Sequence, residues 1–365
     1  MRRKHLDVLK KRLLALDLPW FADQARKLLG VPASYYLRRP LCPPVFGGMV
    51  VTYRCNETCP MCNVRKKADP SREMDTPAML DLAGQMADLG VSGVSITGGE
   101  PLVRADVFEI VERLKNRGVP VSMSTNGVRL ADPVTARALV ECGIDSVAVS
   151  LDGDTPEEHD RSRGRKGAFE KTLQGVRNLL EARNARPGAR PLLVTLAVVL
   201  SRANAARFEN ILTLAKSLGV DNVSLNPLHD TFQGEPTEDP GLYFAPDDAD
   251  LDALPDRLLE LRARHGLMDS SRAYISHLGR FFRTGTMPGR CYAPYFSLYV
   301  DCHGDILPCG GHFYENRIAF NLQGRTLAQA WRSPEMQAVR DRLRNCRACY
   351  YSCMAELNLT YARFP

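Results

Sequence analysis

Between residues 48 and 230, short β-rich apolar runs alternate with helical patterns, and no other feature of the 365-residue chain constrains its fold as tightly. The runs are Met49–Tyr53, Val94–Thr97, Val121–Ser124, Val147–Leu151, Leu193–Leu200 and Val223–Asn226. Between them, apolar residues recur at helical spacing near 78–89, 106–117, 134–142, 167–183 and 206–218. Gly90, Gly118, Gly143 and Gly219 fall just past four of these stretches, where a left-handed residue closes a helix. Six β-α repeats predict a parallel sheet covered by helices, either doubly wound or a partial barrel. The rhythm fails after Pro227. A loop-like stretch gives way to helical patterns near 250–265 and 270–283, so 231–284 reads as a helical connector. Residues 297–308 read as a hairpin around Asp301–Gly304 within a second, cysteine-rich domain at 285–365.

Charge is uneven along the chain. Of 48 Lys+Arg and 42 Asp+Glu, the first 50 residues hold 10 and 3, leaving 38 against 39 beyond. The excess is therefore local, whereas a nucleic-acid binder carries a basic face on its folded domain, and no nucleic-acid partner is expected. Residues 2–16 place Leu6, Leu9, Leu13 and Leu16 on one helical stripe beside Lys4, Lys10, Lys11 and Arg12. Such a basic amphipathic helix packs on its own domain or lies on an anionic membrane surface. Gly30, Pro32, Pro40, Pro43 and Pro44 read as an irregular linker, completing an N-terminal segment of residues 1–47. No apolar stretch of about 18 residues is present, and the N-terminus lacks the apolar core of a signal peptide. A cytoplasmic enzyme, associated at most with a membrane surface, is the expectation.

In a reducing compartment, eleven cysteines point to metal or redox chemistry rather than to disulfides. Cys55, Cys59 and Cys62 form C-x3-C-x2-C in the loop after the first run. Three thiolates hold three corners of a [4Fe–4S] cluster and leave one iron open, whereas structural zinc needs a fourth ligand that this loop does not offer.

This motif, followed by Thr97-Gly98-Gly99-Glu100-Pro101, Ser124-Thr125-Asn126-Gly127, Ser150-Leu151-Asp152-Gly153 and Arg163-Gly164, resembles the radical S-adenosylmethionine (SAM) superfamily over about 48–230. Met61 departs from it, since the family usually has an aromatic residue there. The resemblance implies a partial (β/α)6 TIM-like barrel. It also implies reductive cleavage of SAM at the cluster to a 5′-deoxyadenosyl radical that abstracts hydrogen from substrate. Every motif ends a strand, on the face where parallel β/α folds build sites. The expected cofactor contacts are Met61 toward adenine, Gly98, Gly99 and Glu100 near the methionyl ammonium, and Ser124, Asn126, Ser150 and Asp152 toward ribose and the methionyl end. Arg163 is expected at the methionyl carboxylate, where a guanidinium fork fits two oxygens.

Cys291, Gly304 and Cys309, followed by Cys346-x2-Cys349-x3-Cys353, resemble the SPASM and twitch extensions of that superfamily, in shortened form. One auxiliary [4Fe–4S] cluster is expected, held by Cys291, Cys309 and two or three of Cys346, Cys349 and Cys353, with structural zinc as the alternative occupant. It would assist oxidation or bind substrate. Cys302 is open between a ligand, a bystander and a hydrogen donor to a substrate radical. Cys42 and Cys142 have no expected metal role. His229 is split between a substrate or adenine contact and a structural role, and His277 and His312 are read as ordinary surface or core residues. Tyr292, Tyr295 and Phe296 are expected to shield a cluster.

Only 47 residues precede the first expected strand, without the leader-binding module of many peptide-modifying relatives, which favours a small-molecule or lipid-linked substrate. The alternatives are a maturase of a ribosomally made peptide or protein and a non-catalytic iron–sulfur electron carrier. A reductant such as flavodoxin or ferredoxin is implied.

Overall fold

The computed structural model describes residues 18–186, 192–229, 231–232, 235–236, 239–311 and 318–363. The basic stripe at 2–16 and His312 lie outside these residues. Strands β1 (Phe46–Val50), β2 (Gly93–Thr97), β3 (Val121–Thr125), β4 (Ser146–Ser150), β5 (Leu193–Leu200) and β6 (Asn222–Pro227) pair in parallel in sequence order. Helices α2 (Thr76–Asp88), α3 (Val107–Lys115), α4 (Pro133–Glu141), α6 (Ala168–Asn184) and α7 (Phe208–Leu218) lie in the crossovers, as the periodicity expects, preceded in the chain by α1 (Leu18–Leu37). A further helix, α5 (Pro156–Arg163), follows β4 and carries no apolar stripe that the sequence could reveal. Asp75, Asp132 and Thr155 start α2, α4 and α5 by accepting hydrogen bonds from the first-turn amides.

Alternation along the strands separates two faces. Ile96, Met123, Val147, Leu196 and Leu225 are buried in the core cluster. The opposite face carries Ser95, Ser124, Ala148, Ala197 and Ser224, all lining one internal cavity. A closed TIM barrel fills its interior with branched residues, and these small side chains leave it hollow.

Two sequence expectations are corrected. β1 begins at Phe46 rather than Met49, because Gly47–Gly48 is strand: a Cβ at Gly48 would lie 2.0 Å from the Tyr299 ring, which crosses that position. The Gly30–Pro32 stretch is helix, not linker, since α1 runs through Pro32 and buries Val31 and Tyr35 against the core. Gly30 lies where the helix meets Cys42, whose Sγ would stand 3.2 Å from an added Cβ, a tight contact.

The expected C-terminal hairpin forms from β7 (Ser297–Asp301) and β8 (Asp305–Leu307), with Gly304 at φ 79° in the turn. β7 pairs in parallel with β1, in register Phe46–Ser297 to Val50–Asp301, and β9 (Phe320–Asn321) pairs with β8. The cysteine-rich segment thus extends the barrel's own sheet to nine strands.

Candidate active site: a hollow barrel end with two groups of cysteines

The cavity, about 360 Å³, opens at the C-terminal ends of β1–β6. Cys55, Cys59 and Cys62 stand in its wall with Met61, Gly98, Gly99, Ser124, Asn126, Ser150 and Arg163, so seven of the nine expected cofactor contacts converge there. Burial raises all three thiols, Cys55 to about 11, so metal binding must displace their protons. None of the eleven cysteines forms a disulfide.

Backbone contacts fix the cysteine loop. Gly99 N donates to Thr52 O (2.8 Å) and Glu100 N to Arg54 O (2.9 Å). A Cβ on Gly98 would lie 2.3 Å from Thr52 O, and one on Gly99 2.4 Å from Arg54 O. The glycine pair therefore admits the strand leading into Cys55. On the other side, Thr58 Oγ1 donates to Gly164 O (2.7 Å) and Thr58 N to Arg163 O (3.3 Å). Gly164, at φ 61°, ends α5 with its Cα against Thr58 O, which is why glycine follows the arginine.

Glu100 and Asp152 sit behind the wall rather than in it. Glu100 accepts from Leu102 N (3.0 Å), Thr125 Oγ1 (2.7 Å) and Asn126 N (2.7 Å), joining the β2 and β3 loops. Burial raises its pKa against these bonds. Asp152 accepts from Ser162 Oγ (2.7 Å) and Val199 N (2.8 Å) and pairs with Arg163 Nη2 at 2.7 Å. Neither carboxylate lines the cavity; each is engaged by residues next to or in its wall, Glu100 by Thr125 and Asn126 and Asp152 by Arg163. Arg163 is buried, and its Nε has no hydrogen-bond partner. Burial works against its charge, but the opposite charge of Asp152 outweighs that effect and holds Arg163 protonated. A buried guanidinium with an unused donor, beside three metal-ready thiols, fits a cluster-bound amino acid carboxylate.

Sequence reasoning missed Glu57, between the first two cysteines. It lines the cavity, is 3% exposed, and burial lifts its pKa to about 7. The signal was a charged residue inside a metal-binding loop.

The second cysteine group reaches the same cavity through Cys353. A Cβ on Gly311 would stand 2.8 Å from Cys349 Sγ and 3.8 Å from Cys309 Sγ, so these two sulfurs flank one glycine. Cys291 and Cys346 are close enough to raise the Cys291 thiol electrostatically, after the larger effect of burial, and Asn358 Nδ2 lies 3.6 Å from Cys291 Sγ. Cys353 faces the cavity beside Tyr299. Cys302 is fully buried among Tyr53, Glu73, Arg104 and Asp301 and does not line the cavity. Next to it, Asp301 and Asp305 are engaged: Tyr53 Oη donates to Asp301 (2.6 Å), and Asn321 Nδ2 to Asp305 (2.7 Å).

His229 resolves as a structural clamp whose ring also lines the cavity. Its Nδ1 donates to Pro227 O (3.0 Å), its Nε2 accepts from Tyr350 N (3.0 Å), and the ring stacks on Tyr351 at 3.9 Å. These partners fix the neutral tautomer, and burial lowers the pKa to about 3. Ser352 N donates to Asn226 Oδ1 (2.8 Å), and the Tyr274 ring stacks on Tyr350 at 4.6 Å. Residues 350–352 are thereby latched to the end of β6, between Cys349 and Cys353. Tyr292, Tyr295 and Phe296 are buried beside Cys291, as shielding requires.

A parallel β/α barrel end with three thiols open to a cavity, and a further set of thiols of which Cys353 reaches the same cavity, defines an iron–sulfur protein with room for a ligand at its first cluster. Comparison with known proteins agrees. The Radical SAM superfamily model matches residues 49–215, and the model of the SPASM iron–sulfur cluster-binding domain matches 291–353. Mycofactocin maturase MftC of Mycobacterium ulcerans is 30% identical over 287 residues, covering 78% of this chain and 73% of that protein. PqqA peptide cyclase of Gluconobacter oxydans is 28% identical over 293 residues, covering 79% and 76%. The crystal structure of Streptococcus suis SuiB bound to precursor peptide SuiA shares the fold at TM-score 0.65 and 17% identity, over 87% of this chain and 70% of that one. The chain belongs to the radical SAM superfamily and carries a C-terminal SPASM domain. It is an enzyme that uses [4Fe–4S] clusters and SAM, not an electron carrier. Among the described residues, no helix is long and apolar enough to cross a membrane.

Proposed function

We propose that this enzyme is a peptide maturase. The observation that carries the reading is the extent of likeness to a peptide cyclase, which runs through 79% of the chain rather than stopping at the barrel. This displaces the small-molecule or lipid-linked substrate favoured by the short stretch before β1. Cavity size agrees: about 360 Å³ is near the lower end for a pocket holding one ligand. With SAM in place there is room for a side chain presented from outside, but little for a second whole molecule.

Cys55, Cys59 and Cys62 would hold the first cluster, which with SAM supplies one-electron cleavage and a carbon radical that takes hydrogen from substrate. Arg163 would anchor the methionyl carboxylate, held in place by Asp152. Ser124, Asn126 and Ser150 would offer hydroxyl and amide groups to the nucleoside, and Met61, packed with Leu228 and Leu242, an apolar surface to the base. His229, Tyr299 and Tyr351 would narrow the mouth and keep water from the reacting carbon. Cys291, Cys309, Cys346 and Cys349 would carry one auxiliary cluster that accepts an electron from the substrate. The test is anaerobic turnover of reconstituted enzyme with SAM, reductant and the short peptides encoded beside its gene. A peptide mass change together with 5′-deoxyadenosine is the expected result. Peptide-independent 5′-deoxyadenosine, with every peptide unmodified, would count against it.

A further inference from the structure

We propose that Asn358 sets the reduction potential of the auxiliary cluster by donating a hydrogen bond to the sulfur of Cys291. The inference rests on Cys291 as a ligand of that cluster and is independent of the substrate. Asn358 lies in the C-terminal helix Ser352–Tyr361, whose buried residues Met354, Ala355, Asn358 and Tyr361 recur at helical spacing. It is the one amide side chain of that stripe and is 2% exposed. A buried amide must find partners for its oxygen and for two N–H donors.

Its Oδ1 accepts from Tyr292 N (2.6 Å), the amide that follows Cys291, and this bond fixes which way the carboxamide faces. Nδ2 then points at two sulfurs, Cys291 Sγ and Met287 Sδ, each at 3.6 Å. Neutral sulfur is a weak acceptor, so both donors are poorly satisfied unless Cys291 carries negative charge, as a cluster ligand does. An independent observation points to the same charge. Arg340 is fully buried against the short helix Ala293–Phe296 that follows Cys291. Its Nε donates to Pro294 O (3.1 Å) and its Nη2 to Trp331 O (2.8 Å), the guanidinium lies 4.3 Å over the Trp331 ring, and Nη1 has no hydrogen-bond partner. Asp341, the next residue, pairs with Arg38 instead (3.0 Å). A cation buried among carbonyls and a ring face is costly without an anion in the same region. A hydrogen bond to sulfur stabilises the reduced cluster more than the oxidised one, because reduction adds negative charge there, and so raises the potential. That direction suits a cluster that takes an electron from substrate.

The test is a redox titration of the anaerobically reconstituted protein, without peptide, with both clusters followed by electron paramagnetic resonance. Asn358→Leu removes the donor, and the redox equilibrium of the auxiliary cluster should shift about tenfold toward the oxidised form, the scale of one hydrogen bond. For a one-electron couple that is a potential about 59 mV lower, with the first cluster unmoved. Asn358→Asp keeps an acceptor for Tyr292 N but offers Cys291 no N–H, and its potential should fall at least as far. A wild-type auxiliary potential in Asn358→Asp would overturn the proposal, whether or not Asn358→Leu holds its cluster, because the side chain would then serve only to hold Tyr292. Equal shifts of both clusters would also overturn it. Cys291→Ser should lose iron or change the auxiliary spectrum; iron content and spectrum as in wild type would overturn the Cys291 assignment, and the proposal with it.

Discussion

Replacing His229 should release the auxiliary cysteine segment while leaving the barrel intact. In His229→Ala the Tyr350 amide, now donating to Nε2 at 3.0 Å in a buried setting, loses its acceptor, which costs about 1–3 kcal/mol. Loss of the ring stacked at 3.9 Å on Tyr351 adds about 0.5–1.5 kcal/mol. A total of about 1.5–4.5 kcal/mol against local opening corresponds to roughly 10- to 2,000-fold faster amide exchange in the segment around Tyr350. Hydrogen exchange read by mass spectrometry measures this, with strands β2–β4 as the unaffected reference. His229→Gln restores an acceptor and should recover a large part of the protection. Protection around Tyr350 unchanged in His229→Ala would refute the latch.

The same ring sets a pH dependence. Its folded pKa, about 3, lies below the ordinary 6.5, so in acid the opened segment binds a proton that the closed one does not. Stability of the latch is therefore full above about pH 6.5 and falls on acidification, by about 2 kcal/mol at pH 5. The His229→Gln variant should lose this slope. Gly99→Ala forces a Cβ to within 2.4 Å of Arg54 O, one residue before Cys55. It should cost about 1–3 kcal/mol in thermal unfolding and lower iron uptake at the first cluster; wild-type iron content would contradict the account. Asp152→Asn leaves Arg163 buried without its anion and should destabilise by about 3–5 kcal/mol in denaturant titration. Iron analysis of the anaerobically reconstituted protein should give about eight irons per chain, from two [4Fe–4S] clusters. About four would leave the C-terminal thiols without a cluster.

Much of the fold was legible because its signals are local. A strand that buries one face against helices alternates visibly, a helix closed by Gly118 or Gly219 announces its end, and three thiols within eight residues fix their own chemistry. What escaped depended on residues distant in sequence. Gly47–Gly48 reads as a turn until Tyr299 is seen lying across it. Pro32 reads as a break until the packing of Val31 and Tyr35 holds the helix through it. α5 has no apolar stripe, because its work is to present Arg163 and Gly164 to the cysteine loop.

The sequence by itself determined the order of strands and helices, the metal-binding character of Cys55, Cys59 and Cys62, and the existence of a second cysteine group. Those follow from spacing and residue type, which need no partner. Tertiary structure alone decided which polar groups face the cavity. Glu100 and Asp152 look like ligand contacts in their motifs, yet both are drawn into hydrogen bonds behind the wall, while Glu57 is left facing inward. Only folding brings the Tyr350 amide to the ring of His229, converting a candidate substrate contact into the clamp that ties the segment between Cys349 and Cys353 to the end of β6. The reason is physical: a buried polar group is assigned by whichever donors and acceptors surround it, and those come from strands that the chain order places far apart.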